Sequence, residues 1–366
     1  MRDRLIANAP LRGAAGRFPP IAAAAFALAL AIGCASAGAR AAAPAPTPVT
    51  PDLIAAAKSE GRVVFYTAVD VQVAEKLGAA FEAKYPGVAV QVERSGAERI
   101  FQRISQEYGS GIHAADIVDS SDVTHLYVWK RDGLLAPFVP AEVAEKWPAD
   151  ERDADGCFAA DRATLSVIGY NTKQVKPEDA PKSFADLLEP KWRGKIVKAH
   201  PGYSGTIMTA TFELSRALGW DYLEKLGKQR VLQVQSSTEP PKKLALGERP
   251  VMADGNEYNL FELKEKGSPV EAVYPTEGTP LIAASAGVMK DAPHPNAARL
   301  FATFLFSQEG QQLMSDVGGV RSFHPDVKEK AGRKPMSEIK LLKSDPAEQE
   351  KAVETIKQKY AEYFGT

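Results

Sequence analysis

Residues 202–206 read Gly-Tyr-Ser-Gly-Thr, which sets a serine beside glycine as a nucleophile elbow does. That motif, G-x-S-x-G, needs glycine at 206, where Thr206 stands, so a serine-hydrolase reading falls. The five histidines, His113, His125, His200, His294 and His324, include no pair at H-x-x-x-H spacing, which leaves the usual helix-borne zinc scaffold unsupported. Residues 151–162 imitate a calcium loop through Glu151, Asp153, Asp155 and Gly156. The twelfth position is Arg162, however, and a cation there would meet a fixed positive charge, so the stretch reads as an Asp/Gly-rich surface turn. Cys157 has no base near it in sequence and reads as a spectator thiol, and neither a Walker loop nor G-x-G-x-x-G after a strand is present. The chemistry left is non-covalent: hydroxyl, glycine, amide and phenol groups at the ends of predicted elements.

Those elements alternate. Residues 63–66, Val-Val-Phe-Tyr, form a short continuous apolar run of the kind a strand buried on both faces requires. Residues 73–84 carry Ala74, Leu77, Ala80 and Phe81 at helical spacing, 88–92 read as a strand, 97–108 as a helix with Ile100, Phe101 and Ile104 on one face, and 115–118 as a third strand. This β-α-β-α-β order predicts an α/β fold with largely parallel sheets flanked by helices. Ligands of such sheets sit beyond the carboxyl ends of the strands, so the loops at 67–70, 95–96 and 119–121 are the ones to watch. Tyr66, Thr67, Ser95, Gly96, Ser120 and Ser121 are the candidates they supply. Near the C-terminus the spacing predicts one helix over 295–314 and a last helix capped by Asp345, with Pro346 at its first position; both are read as packing elements.

At 366 residues, with 45% hydrophobic and 25% charged, the chain is long enough for two globular domains. Residues 1–41 differ from the rest: arginines at 2, 4, 12 and 17 precede an apolar stretch over 21–32 and then small residues, the order of a secretory signal peptide. Cys34, after Ala31-Ile32-Gly33, opens a second reading, a lipoprotein cleavage site, and the Pro/Ala-rich stretch 42–51 reads as a linker in either case. Without residues 1–41 the chain carries 40 Lys+Arg against 45 Asp+Glu, no bias towards nucleic acid or an anionic membrane. Cys157 is then the only cysteine, so no intramolecular disulfide is expected.

Residues 170–206 bring a family into view. They run YNT, then PKSFADLL, then PKWRGKI, then PGYSGT. That order of parts resembles the extracellular solute-binding proteins of ABC importers, in the branch that contains the ferric-iron-binding proteins. The resemblance implies a two-lobed, type II periplasmic-binding-protein fold, with lobe 1 from 52–160 and 276–366 and lobe 2 from 161–275. It also implies capture of a small molecule between the lobes, delivery to an inner-membrane ABC permease, a periplasmic monomer, no cofactor and no enzymatic reaction. The second lobe then contributes Tyr203, Ser204, Gly205 and Thr206 at the start of a helix.

In the ferric-iron branch, two adjacent tyrosines supply phenolates to the metal. Here the corresponding segment reads Asn256-Glu257-Tyr258-Asn259, so one of the two is an amide, a poor ligand for a hard trivalent cation. Arg162 near the predicted hinge and Glu277 in YPTEGTP add one charge of each sign, which suits a small anionic or zwitterionic organic solute such as a phosphonate or carboxylate. Ferric iron, held by Tyr258 with Tyr66 or Tyr203, is the alternative ligand. Rival functions are an exported enzyme working through Cys157 or a histidine, and a sensory receptor for a membrane kinase.

Overall fold

The computed structural model describes residues 43–366; the signal peptide and Cys34 readings concern residues outside that range. The chain enters along the first lobe, where Thr47 N–H donates to Val139 O at 2.9 Å, so part of the expected linker is docked. Helix α1 (Pro51–Glu60) follows, with Thr50 accepting from Leu53 N and Gly61 ending it at φ 77°. Strand β1 (Arg62–Thr67), α2 (Val71–Lys84), β2 (Ala89–Arg94), α3 (Ala97–Gly109), β3 (Ile117–Ser120), α4 (Val123–Arg131) and α5 (Ala141–Lys146) then build the first sheet and its cover. Strand β1 is buried on both faces. Val63 and Phe65 pack towards Phe81 and Phe301, and Val64 and Tyr66 pack towards Ile100 and Ile104.

Strands β4 (Ala159–Leu165) and β5 (Ile168–Asn171) lead from one sheet to the other. The second sheet is completed by β6 (Ile196–Ala199), α6 (Gly205–Leu218), α7 (Trp220–Gly227), β7 (Leu232–Val234), α8 (Glu239–Ala245), β8 (Val251–Asp254), α9 (Glu257–Glu265) and β9 (Val270–Val273). Strand β10 (Thr279–Val288) returns to the first sheet, followed by α10 (Pro295–Leu305), α11 (Gln308–Gly318), β11 (Leu341–Lys343) and α12 (Pro346–Phe364). The first sheet has the order β11-β10-β3-β1-β2 with β4 also on β10, and the second β7-β6-β8-β5-β9. Strands β1, β2 and β3 are parallel, as are β6, β7 and β8; the strands that carry the chain between sheets, β4, β5 and β10, make the antiparallel pairs.

Two local expectations differ from this. Strand β3 runs two residues beyond the expected Val118, because Asp119 and Ser120 pair with Ala286 and Ser285 of β10, and the Asp119 carboxylate is held by an arginine. The single helix expected over 295–314 is two: Ser307 caps α11 by accepting from Gly310 N at 3.1 Å, so the chain restarts a helix inside an unbroken apolar pattern.

Helix α12 lies across both lobes. It packs on α4 of the first and on α6 and α7 of the second, and Gln349 Nε2 donates to Asp122 Oδ1 at 2.9 Å and to Thr209 Oγ1 at 3.0 Å.

Candidate functional site

The carboxyl ends of strands from both sheets open on one cavity of about 220 Å³. From the first lobe, Ala68 and Val69 follow β1, Arg94, Gly96, Ala97 and Arg99 join β2 to α3, and Ser121 follows β3. Arg162 and Thr164 come from β4. From the second lobe, Tyr203, Ser204 and Thr206 join β6 to α6, residues 235–239 join β7 to α8, and Asn256 and Tyr258 join β8 to α9.

Helix starts dominate this wall. Gly96 and Asn256, the cap residues of α3 and α9, make no side-chain cap hydrogen bond, so the first-turn amides of both helices remain available as donors. Ser204 caps α6 at 3.4 Å to Ile207 N. The positive ends of three helix dipoles therefore meet the cavity beside Arg94, Arg99 and Arg162, while Glu239 is the only carboxylate lining it among the described residues.

Arg162 is buried, and its Nη1 donates to Asp119 Oδ1 at 2.9 Å and to Asp161 Oδ2 at 2.8 Å. Burial works against its charge, but the two carboxylates more than offset this and hold the guanidinium pKa above its ordinary value. Burial, aided by the charge on Asp119 and opposed by Arg162, raises Asp161. Tyr258 is buried too, and its hydroxyl accepts from Asn256 Nδ2 at 3.1 Å. Burial and then Asp70 push the phenol up to about 12, against the opposing pull of Arg162 and Arg94.

The lobes touch closely across the cavity. A methyl group on Gly96 would stand 3.1 Å from Tyr203 O, and one on Gly205 only 2.7 Å from Asp122 N. Arg99 Nη2 also reaches Gln235 Oε1 at 3.2 Å.

Of the residues singled out from the sequence, Gly96, Ser121, Arg162, Tyr203, Ser204, Thr206, Asn256 and Tyr258 line the cavity. Gly205 serves it through close approach. The others stand elsewhere. Tyr66 points away, because strand alternation turns it onto the α3 face, where its hydroxyl donates to Glu107 Oε1 at 3.0 Å and Arg103 lies over its ring. That removes it from an iron-ligand set with Tyr258.

Thr67 lies behind the wall, donating to Asp119 and accepting from Val69 N. Ser95 is half-buried beside the cavity without lining it, its N–H donating to Thr67 O. Ser120 is buried against His125. Glu277 caps the short helical turn Ala185–Leu188, accepting from Phe184 N at 3.1 Å and Ala185 N at 3.0 Å, so its charge is not offered to a ligand in the cleft.

Sequence reasoning missed Arg94, Arg99, Thr164 and residues 235–239. For the last group a signal existed: Ser236-Ser237-Thr238-Glu239 before Pro240-Pro241 is a helix-start pattern, and Ser236 N–H does donate to Glu239 Oε1 at 2.9 Å.

Known proteins share this architecture. Iron uptake protein A1 of Synechocystis sp. is 24% identical over 253 residues, covering 63% of this chain and 67% of that protein. The probable ABC transporter periplasmic-binding protein y4fP of Sinorhizobium fredii is 22% identical over 274 residues, 72% and 75% of the two chains. Among solved structures, the periplasmic binding protein AfuA of Actinobacillus pleuropneumoniae, with fructose-6-phosphate bound, superposes with a TM-score of 0.77 at 24% identity, covering 83% of this chain and 99% of that one. Iron-bound HitA of Pseudomonas aeruginosa gives 0.72 at 23% identity over 82% and 99%. Residues 67–312 match the bacterial extracellular solute-binding protein family, and with two lobes meeting over one cleft the chain belongs to that family.

Proposed function

We propose that this chain captures a small anionic organic solute, such as a phosphonate, a carboxylate or a sugar phosphate, and hands it to an inner-membrane permease. The observation that carries this reading is the set of helix starts, α3 and α9 without side-chain caps, that open beside Arg94, Arg99 and Arg162 on a cavity with one lining carboxylate. Such amides bind anions through both hydrogen bonds and the helix dipole. The sugar phosphate enters the range of candidates through the ligand of the Actinobacillus protein.

Capture is a population shift. The open form meets the solute through one lobe, the closed form adds the other lobe's donors, and the difference in affinity drives closure. The reading further takes 52–160 with 276–366 as one lobe and 161–275 as the other. It includes export by residues 1–41 as a signal peptide, with lipidation at Cys34 as the competing reading, a monomer, and no reaction catalysed. Among the described residues no helix is long and apolar enough to cross a membrane.

Tyr203 and Tyr258 both line the cavity, which is the observation favouring ferric iron as a second reading. Against it, the position after Tyr258 is Asn259, whose Oδ1 accepts from Asn256 at 3.0 Å. A thermal-shift screen of the mature chain against phosphonates, carboxylates, sugar phosphates and amines separates the two, run beside a ferric citrate titration followed in the visible. Stabilisation by an anionic solute is expected, about 2.7 kcal/mol at a hundred times Kd. A tyrosinate-to-iron band with stoichiometric iron retained after washing would transfer the assignment to iron.

A further inference from the structure

Immediately behind the wall formed by Gly96, Ala97 and Ser121, three buried side chains converge. Glu98 stands in the first turn of α3, Asp122 caps α4, and His125 lies in the first turn of α4, at 6%, 1% and 5% exposure. One ligand atom from each lies within 4.8 Å of the other two. His125 Nε2 is 3.1 Å from Glu98 Oε1 and 3.9 Å from Asp122 Oδ2.

The two oxygens of Asp122 are unlike. Oδ1 accepts from Thr124 N at 3.0 Å, Thr124 Oγ1 at 2.7 Å and Gln349 Nε2 at 2.9 Å. Oδ2 is fully buried, faces the cluster and has no hydrogen-bond partner among the described residues. An unsatisfied buried carboxylate oxygen is costly and calls for a positive partner.

We propose that Glu98, Asp122 and His125 bind a divalent transition-metal ion of the zinc type. An imidazole with two carboxylates is a zinc donor set, and bonds of about 2.0–2.1 Å in a tetrahedron set donor atoms about 3.3 Å apart, between the two separations found here. The ion's two charges balance the two carboxylates, so a buried site ends neutral. Ser120 Oγ lies 2.9 Å from His125 Nδ1 and holds the imidazole in register, and Phe101 stacks on the ring with centroids 4.4 Å apart. On binding, the imidazole proton stands on Nδ1, where Ser120 Oγ accepts it, and Nε2 turns its lone pair to the metal. Lys357, 3.7 Å from Glu98 Oε2, is the one cation at the site among the described residues, and at 37% side-chain exposure it can swing into solvent. The ion would join α3 to α4 just behind the cleft wall.

The test uses the mature chain, stripped with a chelator and given zinc chloride alone. One zinc per chain retained after desalting and a raised Tm are expected. Asp122→Asn keeps the helix cap and removes the anionic oxygen, and should weaken zinc binding at least tenfold without lowering the metal-free Tm. Should that variant not fold, cobalt(II) added to the wild type and to Glu98→Gln serves instead, with four-coordinate visible bands expected only in the wild type. No retained zinc, or equal affinity in Asp122→Asn, overturns the proposal; so do identical cobalt spectra.

Discussion

Arg162 shows how a residue can belong to both the site and the scaffold. Its guanidinium lines the cavity while neutralising Asp119 and Asp161, all three buried. Arg162→Met should therefore destabilise the fold by about 3–5 kcal/mol, because two carboxylates are left facing each other without a cation. Denaturant unfolding measures this. Arg99 is exposed and spans the cleft to Gln235, so Arg99→Ala should leave stability within about 0.5 kcal/mol and weaken solute binding severalfold by calorimetry.

Glu213 is buried in α6, and burial raises its pKa well above the usual value, against backbone groups of Leu281 and Ser344. Above the unfolded carboxyl pKa the folded chain then holds one proton more than the unfolded chain. Stability falls as pH rises through that window, by at most about 1.4 kcal/mol per pH unit. Glu213→Gln should abolish that component in melts recorded from pH 5 to 8, and an unchanged slope would reject the assignment.

Elements differ in how openly the sequence declares them. Strand β1 was legible because a strand buried on both faces has to be continuously apolar. The direction of Tyr66 was not, since a continuously apolar run carries no alternation to say which residue faces which layer. Glu277 misled for a related reason: a lone carboxylate in a loop reads as an available charge until the turn that it caps, more than ninety residues earlier in the chain, is placed beside it. Ser204 and Thr206 were found because they stand at a helix start beside the PGYSGT segment, and Tyr258 because the resemblance to the ferric-iron branch sets a tyrosine there. Gly205 stands at the first turn of α6, where alanine would suit the helix better, yet the added methyl would meet Asp122 of the other lobe. Gly205→Ala should leave the metal-free, solute-free Tm unchanged or slightly raised and cut solute affinity at least tenfold, as read by calorimetry.

For the molecule as a whole the same substitution separates closure from folding. Solution scattering should show the wild type contracting when its solute is added and the Gly205→Ala chain failing to contract. The family and the two-lobed plan were legible in residues 170–206, while the identity of the solute depends on donors from six separate loops that no single stretch of sequence displays.

Gln349, on the 19-residue helix α12, grips both lobes from behind. Opening the lobes must bend that beam or break one of its two grips. The swing between empty and loaded receptor is consequently as wide as the flexure of that beam allows.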